Sequence, residues 1–433
     1  MKRRPHRDET IEVAIDQLAQ GGDGVGRDDE GRVVFVAGAL PGERVRGRVV
    51  QDKGSWRRAK PTQWLERAED RVDPVCAHAE ACGGCALWHT TSQRARALKA
   101  EAAAQTVARI GRVELPAPRV LASPRERGWR VRATFRIERG RLGFLEQGSR
   151  KLAPLDACLV CDERIWSAGR EVARALGDVS AAEVFCETAS LDSAVVTVRE
   201  VRAPKRALRG LDQRIARLVG ESAGVRGVRW RVGRSWSEAG DPRVDLGEVM
   251  AHPPAGWTEP VRSGLFRQAN PEVNVMLSEH VAEQVASASS RRIVEFFSGC
   301  GNLTFAVAGR TDRPIRAYEV ARPAVRLGRR LSEHRGGDVE FHEGDLTRGD
   351  VGALLVGADV VVLDPPRAGA RHVCEALAKW GGARIVYVSC DAATFARDAS
   401  ILGEGGWQVL EWALWDMFPR TAHMEVSAVF GRP

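Results

Sequence analysis

The chain lacks any run of about 18 apolar residues, the length that a membrane-spanning helix needs. Its opening, MKRRPHRDET, lacks the apolar core of a secretory leader, so none is expected. With neither signal, the nine cysteines are expected in a reducing compartment, where metal binding or catalysis is a commoner use than disulfides. Lysine is scarce: 7 of the 65 basic side chains are Lys, an Arg bias that decorates any surface. Tyrosine is nearly absent, at two residues against 12 tryptophans. Acidic side chains fall short of basic ones by eight over the 433 residues, yet residues 291–433 hold 18 of each. The whole excess of +8 therefore lies in residues 1–290, and that part is suited to meet a polyanion. A 44% hydrophobic and 28% charged composition excludes wholesale disorder, and the length suggests two to three domains at about 150 residues each.

Residues 9–67 read as a small all-β unit. TIEVAIDQL and GRVVFVAGAL alternate apolar and polar residues, and GGDGVGRDDEG between them reads as turn formers. Residues 41–67 add eight basic and three acidic side chains, a rim suited to RNA on a small β-barrel. Residues 73–92 hold Cys76, Cys82 and Cys85 at spacing C-x5-C-x2-C, with Cys158 and Cys161 further on. All-thiolate ligation suits iron–sulfur or zinc. Residues 93–111 have helical periodicity and no proline. Residues 112–260 read as mixed and strand-rich, and residues 112–151 and 201–243 each carry net +7. Trp129, Trp230 and Trp236 lie in or beside those basic stretches, as base-stacking groups or as half-buried anchors.

From about residue 261 short apolar runs alternate with helical stretches, which predicts a parallel sheet with helices on both faces and a ligand at the strands' carboxyl ends. RIVEFFSGCGNLT places a strand before a small-residue turn, and Glu319 ends the next strand about twenty residues on, where an acid accepts from ribose hydroxyls. The turn lacks a full G-x-G-x-x-G, which favours S-adenosylmethionine over a dinucleotide. Asp364 in LDPPR stands at a stiff strand-end loop. Cys390 in VYVSCDAATF ends a strand before a helix, where a thiol pKa is commonly lowered. Glu425 follows in TAHMEV as a candidate base.

These motifs in this order, FRQANPEVN, EFFSGCGNLT, AYEVARPAV, LDPPRAGA, SCDAATFARD and MFPRTAHMEV, resemble the RNA uracil-5 methyltransferase family along almost the whole chain. LDPPRAGA and DMFPRTAHME favour its iron–sulfur members that act on 23S rRNA. The resemblance implies a multidomain chain. Residues 1–69 would form a TRAM-like (OB-like) β-barrel. Residues 70–260 would form a mixed α+β central RNA-binding domain with the iron–sulfur site, its helix of about 93–124 packing on the last domain. Residues 261–433 would form a Rossmann-like α/β methyltransferase. It implies Cys390 as nucleophile, Glu425 as base, and Gln268, Phe297, Asn302, Glu319, Asp345 and Asp364 as S-adenosylmethionine contacts. It also implies Cys76, Cys82, Cys85 and Cys158 as 4Fe–4S ligands, with Cys161 the alternative for the fourth. The expected partner is RNA, most often 23S rRNA, for a cytoplasmic monomer with no membrane contact. The rivals are a tRNA uridine-5 methyltransferase, a base-amine methyltransferase and a non-catalytic RNA-binding module. Departures are EFFSGC for a common Asp-Leu-Tyr-Cys-Gly type, SCDAAT for Ser-Cys-Asn-Pro-Ala-Thr, and GWRVRA for a Tyr-Arg-Asn segment.

Overall fold

The computed structural model describes residues 9–432 apart from 112–114, 180, 203–204 and 289–290. The first eight residues, on which the leader expectation rests, lie outside the described ones.

Strands Thr10–Leu18, Gly24–Arg27, Val33–Val36, Trp56–Glu66 and Arg44–Asp52 close a barrel in that spatial order. Alternate residues Val13, Ile15, Val34, Val36, Val45 and Ala59 fill it. Gly24–Arg27, expected as a turn, is a strand. Its glycines are there for space: a Cβ on Gly26 would lie 1.9 Å from the Ala14 carbonyl, and one on Gly24 2.7 Å from that of Ala39. Leu18 and Leu40 pack on Leu87, Ala95 and Leu98, so the barrel is seated on the helix that follows it.

That helix is Ser92–Gly111, as the periodicity over 93–111 predicts and shorter than the span of about 93–124 that the resemblance implies. Thr91 begins it by accepting from Arg94 N at 3.2 Å. Pro116 and Pro118 prevent its continuation, and Arg119–Leu121 is instead a strand.

The central sheet has seven strands, in the order 235–240, 225–232, 194–202, 181–188, 132–138, 141–145, 152–154. Helices Glu163–Leu176 and Leu211–Glu221 cover one face around Phe135, Trp166, Val184 and Trp230. Trp129 is fully buried and Trp230 is 3% exposed, so both are anchors. Trp236 is 39% exposed.

The last sheet has eight strands, ordered 339–343, 315–319, 293–296, 360–363, 384–389, 425–431, 408–415, 119–121. The first five are parallel and 425–431 runs antiparallel between its neighbours. Strands Ile293–Phe296 and Val360–Leu363 are buried along their whole length, as strands covered on both faces must be. Strand 119–121 pairs parallel with Ala413–Trp415, so a segment from early in the chain forms this sheet's outer edge. No helix among the described residues is long and apolar enough to cross a membrane.

Candidate active site

The carboxyl ends of the parallel strands gather the expected residues on one edge. Phe297 follows strand 293–296 with φ of 64°, a left-handed conformation that side chains rarely adopt and that clusters at functional sites. Gly301 begins helix Asn302–Ala308 at φ 107°, and a Cβ there would strike the Phe305 ring at 2.6 Å. Glu319 braces this turn: its carboxylate accepts from Gly299 N at 3.0 Å and Ala321 N at 2.7 Å. Asp345 follows the outer strand and accepts from the Thr347 N–H and hydroxyl and from Arg348, which hold its carboxyl down at about 2.

Asn302 is committed elsewhere. It exchanges two carboxamide bonds with Asn274, at 2.9 and 3.0 Å, and accepts from Ala251 N at 3.0 Å. It thus ties the glycine turn to helix Pro271–Ala286. Gln268 is half-buried just before that helix. Beside it, Arg267 is 3% exposed and donates to the carbonyls of Val131, Thr188 and Glu248. Arg267 has carboxylate neighbours in Glu187 at 3.7 Å and Glu248 at 3.6 Å. Sequence reasoning missed this clamp, because its partners lie up to 136 residues away.

Cys390 and Glu425 lie opposite one another. Ser389 pairs with Val426 in antiparallel register, and the next step outward sets Cys390 across from Glu425. Asp391 caps the following helix, Ala392–Glu404, by accepting from Ala393 N at 3.0 Å and Thr394 N at 2.9 Å. The thiol is raised rather than lowered as expected. Burial, followed by the charges of Glu425 and Asp364, pushes Cys390 up to about 11, while Arg367 pulls it down. Glu425 is 1% exposed, and its Oε2 has no hydrogen-bond partner. Burial and Asp364 push its carboxyl well up, against Arg367. Burial lifts Asp364 to about 7. Such a pocket holds fewer negative charges at neutral pH than it has acids.

The loop before Glu425 is held from the other end of the chain. Lys99 is buried and donates to Asp416 Oδ1 at 2.5 Å and to the His423 carbonyl at 3.1 Å. Arg420, at φ 67°, donates to the carbonyls of Leu87 and Thr90 and lies over the Trp88 ring at 4.8 Å. Trp129 packs edge-on to Phe418, 6.0 Å between centroids.

Trp88 also walls a second, small cavity, of about 20 Å³, lined by Cys76, Cys82, Cys85 and Cys158. Arg130 lines it too and lowers the cost of ionising Cys82, Cys85 and Cys158. Cys161 is 5% exposed within the central core and hydrogen-bonds to Cys158. Among the described residues no three His, Cys, Asp or Glu side chains converge on one point as single-ion ligands. The four thiols surround a volume instead.

A parallel sheet carrying a glycine turn, a strand-end acid and a small-residue helix start is the fold of an S-adenosylmethionine-dependent methyltransferase, here with a barrel and a central sheet attached. Residues 355–432 match the family model described as tRNA (Uracil-5-)-methyltransferase, and residues 7–59 match that of the TRAM domain. The 23S rRNA (uracil(1939)-C(5))-methyltransferase of Alkalilimnicola ehrlichii is 34% identical, over 100% of this chain and 98% of its own. That of Pseudomonas putida is 32% identical, over 96% of this chain and 92% of its own. The crystal structure of Pyrococcus abyssi tRNA (uracil-54, C5)-methyltransferase with S-adenosyl-L-homocysteine has the same fold. It superposes with TM-score 0.70 at 22% identity, over 97% of this chain and 100% of that one. The chain belongs to the S-adenosylmethionine-dependent RNA uracil-5 methyltransferase family.

Proposed function

We propose that this chain transfers a methyl group from S-adenosylmethionine to C5 of a uridine in 23S rRNA, as a cytoplasmic monomer. The observation that carries the chemistry is Cys390 opposite Glu425 at the carboxyl edge of the sheet. The choice of rRNA rests on the relatives' names.

C5 of uracil is a weak nucleophile. Cys390 thiolate adds to C6, and the displaced electron pair makes an enolate across C5 and the C4 carbonyl. C5 then forms a bond to the methyl carbon as the sulfonium–methyl bond breaks, leaving S-adenosylhomocysteine. Glu425 removes the C5 proton, the C5–C6 double bond re-forms, and Cys390 departs as thiolate. A carboxylate raised by burial is the stronger base for that step. Arg367 is the cation that favours the ionised thiol. Gln268, Phe297, Asn302, Glu319, Asp345 and Asp364 contact the methyl donor in this reading, and Asn302 also fixes the turn. The target base must leave its stack, which costs a few kcal/mol.

We further propose a 4Fe–4S cluster on Cys76, Cys82, Cys85 and Cys158. The donor set fits: four thiols share one cavity with a guanidinium, and Cys158 lines it whereas Cys161 does not. Such a cluster supplies a rigid cross-link, and methyl transfer needs no electron from it. Residues 76–85 and 158 would then be tied together beside Trp88 and Trp129, which brace the catalytic loop.

Cys390→Ala is expected to abolish 5-methyluridine formation on 23S rRNA while RNA binding persists. Glu425→Gln is expected to trap an RNA adduct that survives denaturing electrophoresis. Methylation by Cys390→Ala would overturn the mechanism, and a product found only in tRNA would overturn the substrate.

A further inference from the structure

The central sheet has one face beneath helices, and its other face is open over its outer rows. Residues paired across neighbouring strands share a face. Glu183 pairs with both Arg136 and Arg199, the Val198–Trp230 pair brings Arg199 beside Arg231, and Arg231 pairs with Trp236. These residues form one row on the face away from the helices. The next row runs from Phe185 through Thr197 to Arg229 and Glu238. Arg136, Arg199 and Trp236 are exposed.

Trp236 is not a core anchor. It lies on the edge strand Ser235–Gly240, 39% exposed, and belongs to none of the buried clusters among the described residues. Arg229 lies over its ring at 4.3 Å and Arg231 at 5.5 Å. Arg229 is ion-paired with Glu238 at 2.9 Å, and the buried Nε atoms of Arg229 and Arg231 both lack a hydrogen-bond partner. A flat, 39% exposed indole beside two guanidiniums of the neighbouring strand, at the rim of a segment with net +7, is chemically complementary to an unpaired base with its phosphates.

We propose that Trp236, flanked by Arg229 and Arg231, is a stacking site for an unpaired base of the RNA substrate, with Arg199 on the same face meeting backbone phosphate. The site is separate from the pocket at Cys390 and rests on the reading of this chain as an RNA methyltransferase. It would grip single-stranded RNA flanking the target through a base face, which tolerates any sequence.

The test uses the full chain and two fluorescent probes, a single-stranded oligouridine 12-mer and an abasic ribose–phosphate 12-mer. Fluorescence anisotropy measures the affinity of each. Trp236→Ala and Trp236→Leu are each expected to weaken the oligouridine about tenfold and leave the abasic probe unchanged, while Trp236→Phe stays near wild type. Arg199→Ala is expected to weaken both probes alike and to reduce the salt slope by about one. S-adenosylhomocysteine binding by calorimetry reports that each variant is folded. Equal weakening of both probes by Trp236→Leu, or no weakening, overturns the stacking site. A wild-type chain that binds neither probe and methylates no uridine overturns the RNA reading itself. A wild-type chain that binds and methylates, beside an unaffected Trp236→Ala, overturns the stacking site alone.

Discussion

Cys390 is a nucleophile-type thiol that its own pocket keeps protonated. With the carboxylates of Glu425, Asp364 and Asp391 and the guanidinium of Arg367 around it, its alkylation by iodoacetamide should rise with pH toward a midpoint near 11, read by mass spectrometry of its peptide. Glu425→Gln removes a neighbouring negative charge and is expected to move that midpoint down. Glu295, in the first strand of the catalytic sheet, is 2% exposed, and burial raises it to about 8. The folded chain therefore binds a proton there that the unfolded chain releases near its ordinary value of about 4.3. Between those two values stability falls as pH rises, and the loss is complete above about 8. Glu295→Gln should flatten the fall in melting temperature from pH 5 to pH 9 while leaving the fold intact. Sequence reasoning marked Cys390 and Glu425 as candidates, but it expected a lowered thiol. The reason is physical: Asp364 and Glu425 lie 26 residues before and 35 after Cys390, and only the strand order makes their charges neighbours.

Among elements, the helix Ser92–Gly111 has the most varied role. Its alanines allow close approach to helix Ala392–Glu404, and a Cβ on Gly111 would come within 3.0 Å of the Ala396 carbonyl. The same helix carries Lys99 to Asp416. Removing one partner of a buried pair costs roughly 3–5 kcal/mol. Lys99→Met should therefore lower stability by that order in urea unfolding and reduce kcat by loosening the loop before Glu425. The double variant Lys99→Met with Asp416→Leu should recover most of the stability. Periodicity made this helix legible. Its end at residue 111 was legible too, but the strand beyond it was not, because residues 119–121 have no strand signature of their own and gain one by pairing with Ala413–Trp415. The strands 293–296, 360–363 and 384–389 were legible because burial on both faces demands continuous apolar runs. Burial of Trp230 was not, since its basic neighbours in sequence, Arg229 and Arg231, point to the other face of the strand, and Trp129 is buried although Arg130 lies over its ring at 5.0 Å.

At the scale of the whole molecule, the basic excess and the catalytic edge occupy different parts of the chain, and they meet through packing. Neutralisation of phosphates by the barrel and central sheet should give RNA affinity that falls steeply with salt, while S-adenosylhomocysteine affinity changes little. A titration of both between 50 and 200 mM salt checks this. A fragment of residues 261–433 should not fold alone, because it leaves the 408–415 strand edge and one side of helix 392–404 bare. Size-exclusion elution and near-UV circular dichroism would show this as aggregation or loss of fixed aromatic packing.

The strand Arg119–Leu121 has a further consequence, which concerns time. It is made about 290 residues before the strand that it pairs with. At roughly 5–20 residues per second, it leaves the ribosome some 15–60 s ahead of its partner. Throughout that interval the side of helix 92–111 that meets helix 392–404, and the strand 119–121, wait uncovered. The catalytic sheet takes its outer strand from early in the chain and Glu425 from its last strand, so a translation product cut before residue 425 carries the edge strand without the site.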